Sequence, residues 1–172
     1  MMKNKCVFLD RDGVLNEDSP NYAYQLDQFK ILPGVPEALQ RLKDAGYLLI
    51  VVTNQSGIAL GIYTQQEMKA CHNYLQETCG GIIDYFYFSP YHPKVTESLS
   101  RKPGALLFEK GIARFNVDPQ ASWMIGDRER DLIPAKQLGV KTVLISNETT
   151  PGSPWNFTVP DLTTATQQIL SK

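Results

Sequence analysis

The chain has 172 residues, 42% of them apolar, which suits one globular domain spanning residues 1–172 with a full core. A net charge of −1 and a pI of about 6.1 offer no basic surface for nucleic acid or anionic membrane. No apolar stretch approaches the about 20 residues of a membrane span.

The opening Met-Met-Lys-Asn-Lys has no apolar h-region, and Cys6, Cys71 and Cys79 form no CxxC motif. Free thiols in a reducing cytoplasm are therefore expected. The first predicted strand, Cys6–Leu9, runs directly into Asp10-Arg11-Asp12-Gly13. Two carboxylates thus stand one residue apart at a strand's carboxyl end, where open α/β sheets place their ligand crevice. The two-residue period of a strand puts both on one side. Residues 15–32 are polar and aromatic without a period and predict an irregular loop, with a flap over Glu17–Asp27.

Val35, Ala38, Leu39, Leu42 and Ala45 recur at helical spacing, with Pro36 in the first turn and Gly46 beyond the end. They predict a helix over Val35–Ala45. A uniformly apolar strand, Tyr47–Val52, follows and delivers Thr53-Asn54-Gln55. Thr64-x-x-Glu67 is a capping box that opens a helix to about Thr78. Strand three is Ile82–Phe88, and the Pro-punctuated loop Ser89–Pro103 carries Arg101 and Lys102. A helix over Gly104–Phe115 and a turn at Asp118-Pro119 lead to strand four, Ser122–Ile125, which ends in Gly126-Asp127. A helix near Asp131–Leu138, strand five at Lys141–Ile145, a Thr/Pro/Ser-rich tail over Asn147–Val159 and a last helix at Leu162–Leu170 complete the reading.

Strands alternating with helices imply a three-layer, Rossmann-like α/β fold, its mainly parallel sheet covered on both faces. The intervals from Asp10 to Thr53 and from Thr53 to Lys102 are nearly filled by the helix and strand each must hold. Neither leaves room for a separate lid domain.

Four strand ends deliver a carboxylate pair, a hydroxyl, an ammonium and a further carboxylate to one rim. Singly, each piece is common: DxDG is an ordinary turn, Thr-Asn an ordinary cap, and Lys-Pro an ordinary solvated charge. Their order and placement point to phosphoryl transfer with a hard cation. Asp10 is the candidate nucleophile and Asp12 the candidate general acid and base. Mg2+ would sit on the Asp10 and Asp127 side chains and on Asp12 through its backbone carbonyl, with Asp131 one shell further out. Thr53 and Lys102 would hold the phosphoryl oxygens. A phosphoryl-accepting receiver also combines Asp, Thr and Lys on a parallel sheet, but there the accepting Asp follows a middle strand. A non-catalytic phosphate-binding module is the other alternative.

FLDRDGVLN, TNQSG, RKP and MIGDRERD each resemble one of the four motifs of the haloacid dehalogenase-type phosphatases. The resemblance spans about residues 5–145. DRDGVLN, TNQSGIALGIYT and SPYHP…RKP are similar to the small cap-less branch that holds the D-glycero-D-manno-heptose-1,7-bisphosphate 7-phosphatases and the histidinol-phosphate phosphatases. The segment after Gln55 is nearer the heptose enzymes. The resemblance implies a sugar-phosphate phosphatase of nucleotide-heptose synthesis, with histidinol phosphate as the alternative substrate; a monomer is the default expectation, on which the sequence itself is silent. It carries the nucleophile to Asp10, the acid/base to Asp12 and Mg2+ to Asp10, Asp12 and Asp127. Phosphoryl contacts fall on Thr53 and Lys102, and substrate recognition on Arg101. Asp18, Tyr22, Asn54, Gln55, Ser56 and Arg128 match substrate-lining positions, Arg128 standing where heptose enzymes often carry Lys.

One stretch departs from the pattern. Many members hold zinc in a loop reading roughly C-P-x-H-P…C-x-C-R-K-P, where this chain has Ser89, Tyr91, Ser98 and Ser100. A structural zinc needs about four ligands, so none is expected. His72 and His92 are expected at the surface or half-buried rather than in catalysis.

Overall fold

The computed structural model describes residues 3–148 and 151–172. Strand β1 (Cys6–Leu9) is followed by helix α1 (Val35–Asp44), β2 (Leu48–Asn54), α2 (Gln65–Thr78), β3 (Tyr85–Ser89) and α3 (Leu106–Arg114). A short 3-10 turn (Pro119–Ala121) leads to β4 (Trp123–Gly126), α4 (Glu129–Gln137), β5 (Lys141–Ile145), β6 (Phe157–Val159) and α5 (Leu162–Leu170). The six strands form one sheet in the order β3-β2-β1-β4-β5-β6, and every pairing is parallel.

Strand alternation divides the core into two layers. Val7, Leu9, Leu49, Val51 and Ile125 point to one face, where α1, α2 and α5 add Leu39, Leu42, Leu75 and Ile169. Cys6, Phe8, Ile50, Val52 and Met124 point to the other, beneath Phe108 of α3 and Leu132 of α4. Both faces being covered explains why the central strands carry almost no polar residue.

The chain first winds outward from β1 through β2 to β3, then crosses back so that β4 lies on the other side of β1. That reversal opens a crevice at the carboxyl ends of β1, β2 and β4. The loops after these strands therefore converge on it. Residues 10–34 and 90–105 contain no further helix or strand beyond isolated bridges from Asn16 to Asp12 and Ile31.

Several boundaries differ from the sequence reading. β2 continues through Thr53 and Asn54, whose Cα partners are Phe88 and Ser89, so these residues end the strand rather than follow it. β3 starts at Tyr85, not Ile82, because the Asp84 carboxylate is taken by Lys43 Nζ and by the Leu49 amide. α4 starts at Glu129, two residues early, since Asp131 Oδ2 accepts from the Arg128 amide and closes the first turn. The Asn147–Val159 segment, read as tail, contains β6 on the sheet edge; residues 149 and 150 of it lie outside the described residues. Three residues are too few to show an alternating pattern.

Candidate active site

The turn after β1 places the first group. Asp10 extends the ladder by donating its amide to Ile125 O at 3.0 Å, which aims its side chain over the β1–β4 crevice. The amides of Val14, Leu15 and Asn16 all return to the Arg11 carbonyl, coiling the chain tightly. Gly13 sits at φ +82°, and a Cβ there would lie 2.4 Å from Asp127 Oδ2. Only glycine lets this turn meet the end of β4 so closely.

Lys102 is the hub of the site. Its amide donates to Asn54 Oδ1 at 3.0 Å, and Asn54 Nδ2 donates to the Lys102 carbonyl at 3.1 Å, so β2 holds the residue from both sides. The buried ammonium reaches Val52 O at 2.7 Å, Asp10 Oδ1 at 2.9 Å and Asp131 Oδ1 at 2.8 Å. The first of these contacts is a hydrogen bond and the other two are buried ion pairs. Burial by itself would lower the Lys102 pKa, but the Asp10 and Asp131 charges outweigh it and leave it raised.

One cation does not balance the acids around it. Asp10, Asp127 and Asp131 each present an oxygen within 4.8 Å of the others. Burial and the neighbouring Asp131 charge push Asp10 up to about 7, and the same two causes push Asp127 up to about 6. Asp127 Oδ1 is buried without a hydrogen-bond partner. Three crowded carboxylates, two of them with a buried oxygen that accepts no hydrogen bond, fit a hard divalent cation with oxygen ligands. The sequence reading held Asp131 one shell out; the fold brings its side chain into the cluster, because the first turn of α4 lies directly against Gly126.

The Asp12 carboxylate is turned elsewhere. Its Oδ1 accepts from Arg11 Nε, Arg11 Nη2 and Asn16 Nδ2 at 3.2, 2.9 and 2.9 Å, and its Oδ2 accepts from Gln55 Nε2 at 3.0 Å. It faces the cavity beside Asp10 without joining the acidic cluster. Thr53 lies beneath the surface, with Oγ1 accepting from the same Gln55 Nε2 at 3.0 Å, and is not among the cavity-lining side chains.

A cavity of about 300 Å³ opens above these groups. Asn54, Gln55, Ser56, Tyr22 and Asp18 line it as the sequence reading has it, and so do Arg101 and Arg128. Asp18 in the flap pairs with Arg128 Nη2 at 2.7 Å, an exposed pair that adds little stability but ties the flap to α4. Burial, with the nearby Arg130 charge, lowers the Arg101 pKa. Arg130, Tyr63 and His92 also line the cavity and were not assigned to the site from sequence. Arg130 lies within the RERD run, whose helical phase was the available signal; Tyr63 and His92 carried none. His72 is buried against Phe86, not at the surface.

Hydroxyls join the two arms of the 89–101 loop. Ser89 Oγ meets Ser100 Oγ at 2.9 Å, and Ser98 Oγ meets Ser100 Oγ at 2.8 Å. Arg101 Nη1 donates to Tyr91 O at 3.2 Å across the same loop.

Known proteins resemble this chain in sequence and in fold. The profile of the haloacid dehalogenase-like hydrolase family matches residues 14–145. The D-glycero-beta-D-manno-heptose-1,7-bisphosphate 7-phosphatase of Haemophilus ducreyi is 41% identical over 153 residues, covering 84% of each chain. The D-glycero-alpha-D-manno-heptose-1,7-bisphosphate 7-phosphatase of Burkholderia mallei is 37% identical, covering 84% of this chain and 80% of its own. Among solved structures, the D,D-heptose 1,7-bisphosphate phosphatase of B. bronchiseptica, complexed with magnesium and phosphate, superposes with a TM-score of 0.86 at 28% identity. That match covers 97% of this chain and 98% of the other. With a matching profile over most of its length and relatives of this similarity, the chain belongs to the haloacid dehalogenase-like hydrolase family.

Proposed function

We propose that this chain removes the 7-phosphate of D-glycero-D-manno-heptose 1,7-bisphosphate, with Mg2+ as cofactor and an aspartyl phosphate as intermediate. The observation that carries the reading is the convergence of Asp10, Asp127, Asp131 and Lys102 at the crevice between β1 and β4. The names of the relatives supply the substrate.

Asp10, Asp127 and the backbone carbonyl of Asp12 would hold the ion, with Asp131 beside them. When bound, it offsets the repulsion between carboxylate and phosphate and polarises the phosphoryl oxygens. The Asp10 oxygen attacks phosphorus as the bond to the sugar oxygen breaks. Asp12, protonated, gives its proton to that leaving oxygen. In the second half, Asp12 as carboxylate takes a proton from water, whose oxygen attacks phosphorus and releases Asp10. Lys102 faces the Asp10 oxygen throughout and counters charge on the transferring group. Thr53, held beneath Gln55, has its own hydroxyl proton left to donate toward a phosphoryl oxygen. Arg101 and Arg128 form the cationic rim for the remainder of an anionic substrate.

The same reading has the enzyme work as a monomer in a reducing cytoplasm; three buried free cysteines support the reducing compartment. No helix among the described residues is long and apolar enough to cross a membrane. It also gives the 89–101 loop no zinc, since its serine hydroxyls bond to one another.

Phosphate release from a panel of esters, with Mg2+ and with chelator, tests the proposal. Mg2+-dependent turnover of the heptose bisphosphate is expected. Robust turnover of histidinol phosphate with none of the heptose ester would overturn the substrate.

A further inference from the structure

The three donors on Asp12 Oδ1 crowd that oxygen, while Oδ2 has a single partner, the Gln55 side-chain amide. The oxygen with room for a transferable proton is therefore Oδ2. Gln55 is buried, and its Nε2 spends one hydrogen on Asp12 Oδ2 and the other on Thr53 Oγ1, both at 3.0 Å. This works only if the amide carbonyl points away. Tyr63 arranges that: its hydroxyl donates to Gln55 Oε1 at 2.7 Å.

An amide carbonyl oxygen can only accept, so the Tyr63 hydroxyl is the donor of this bond. Burial raises the Tyr63 pKa, which keeps the phenol a donor. The ring has a built seat. A Cβ on Gly57 would lie 2.2 Å from Tyr63 Cε1, so glycine is what admits it. Tyr24 stacks on the ring at 4.9 Å and Tyr22 meets it edge-on at 5.8 Å, both from the flap.

We propose that Tyr63 is a positioning residue for proton transfer: its hydroxyl locks the Gln55 amide, which in turn holds the proton-carrying oxygen of Asp12 in place. The proposal rests on the reading of Asp12 as general acid. Removing the hydroxyl lets the amide rotate and lets Asp12 Oδ2 drift from the leaving oxygen. The loss should appear where a proton must be delivered and vanish where none is needed.

The test compares kcat/KM on two esters for the wild type, Tyr63→Phe and Asp12→Asn. One ester is an alkyl phosphate: the heptose bisphosphate, or glycerol 3-phosphate where the wild type does not turn the heptose over. The other is p-nitrophenyl phosphate, whose nitrophenolate departs without a proton. Tyr63→Phe should lower kcat/KM about tenfold on the alkyl ester and less than twofold on the aryl ester, roughly one buried hydrogen bond's effect. Gln55→Glu, which accepts from Tyr63 but cannot donate to Asp12, should show the same selective loss and stands in should Tyr63→Phe not fold. Equal losses on both esters, or none, overturn the proposal. A leaving-group effect in Asp12→Asn alone removes the Tyr63 role and leaves the mechanism standing. Its absence in Asp12→Asn removes both.

Discussion

Replacing Lys102 by Met keeps the length of the side chain and deletes the charge on which two buried carboxylates depend. Asp10 and Asp131 approach the ammonium to 2.9 and 2.8 Å, and the Lys102 side chain is 1% exposed, so no water replaces it. Removing one partner of such a buried ion pair costs about 3–5 kcal/mol. Domains of this kind are stable by about 5–15 kcal/mol, so the variant should be conspicuously weak. With a urea slope of about 2 kcal/mol per molar, the midpoint should drop by roughly 2 M in chelator. The pH dependence has a definite sign. Asp10 titrates at about 7 in the folded wild type, above its ordinary value of 3.8, so stability tied to its protonated form is lost as pH rises through that range. Without Lys102 its folded pKa rises further, and the deficit of the variant should widen between pH 6 and pH 8.5, at most about 1.4 kcal/mol per unit for each carboxylate held protonated. Urea unfolding followed by far-UV circular dichroism at the two pH values measures both. An unchanged midpoint, or a deficit that narrows with pH, would refute the reasoning.

Three further outcomes follow from the same geometry. Asp127→Asn removes a repelling charge from the cluster, so the metal-free protein should melt at higher temperature than the wild type while losing its response to Mg2+. At a hundredfold excess over Kd the wild type should gain about 2.7 kcal/mol from Mg2+, a Tm rise of roughly 5–10 °C by scanning calorimetry. Gly13→Ala forces a Cβ into the left-handed region and to within 2.4 Å of Asp127 Oδ2; it should cost at least about 1–2 kcal/mol in urea unfolding and reduce turnover sharply. His72 is buried and stacked on Phe86 at 4.7 Å, and burial, with the Arg11 charge, lowers its pKa to about 3. The unfolded chain takes up that proton near 6.5 and the folded one does not until about 3, so stability falls on acidification across this window, by at most about 1.4 kcal/mol per unit. His72→Phe should flatten that slope in urea midpoints read from pH 7 to pH 4.

The sequence alone was enough for the parallel sheet, because strands buried on both faces leave unbroken apolar runs such as Leu48–Val52. It was also enough to bring Asp10, Asp12, Lys102 and Asp127 to the lining of one cavity, since polar groups at the ends of such strands have one crevice to share. What it could not contain was direction. Whether a carboxylate near that crevice meets the others depends on how a turn coils and where a helix begins, and these are set by contacts between segments far apart in the chain. Asp131 joins the cluster because the first turn of α4 packs on Gly126, and the Asp12 side chain leaves it because Arg11, Asn16 and Gln55 claim both its oxygens. Tyr63 enters the site only through the space beside Gly57, and β6 exists only because β5 offers it an edge. Periodicity and strand ends are local properties that a linear reading captures, whereas hydrogen-bond partnership across the crevice is decided by packing.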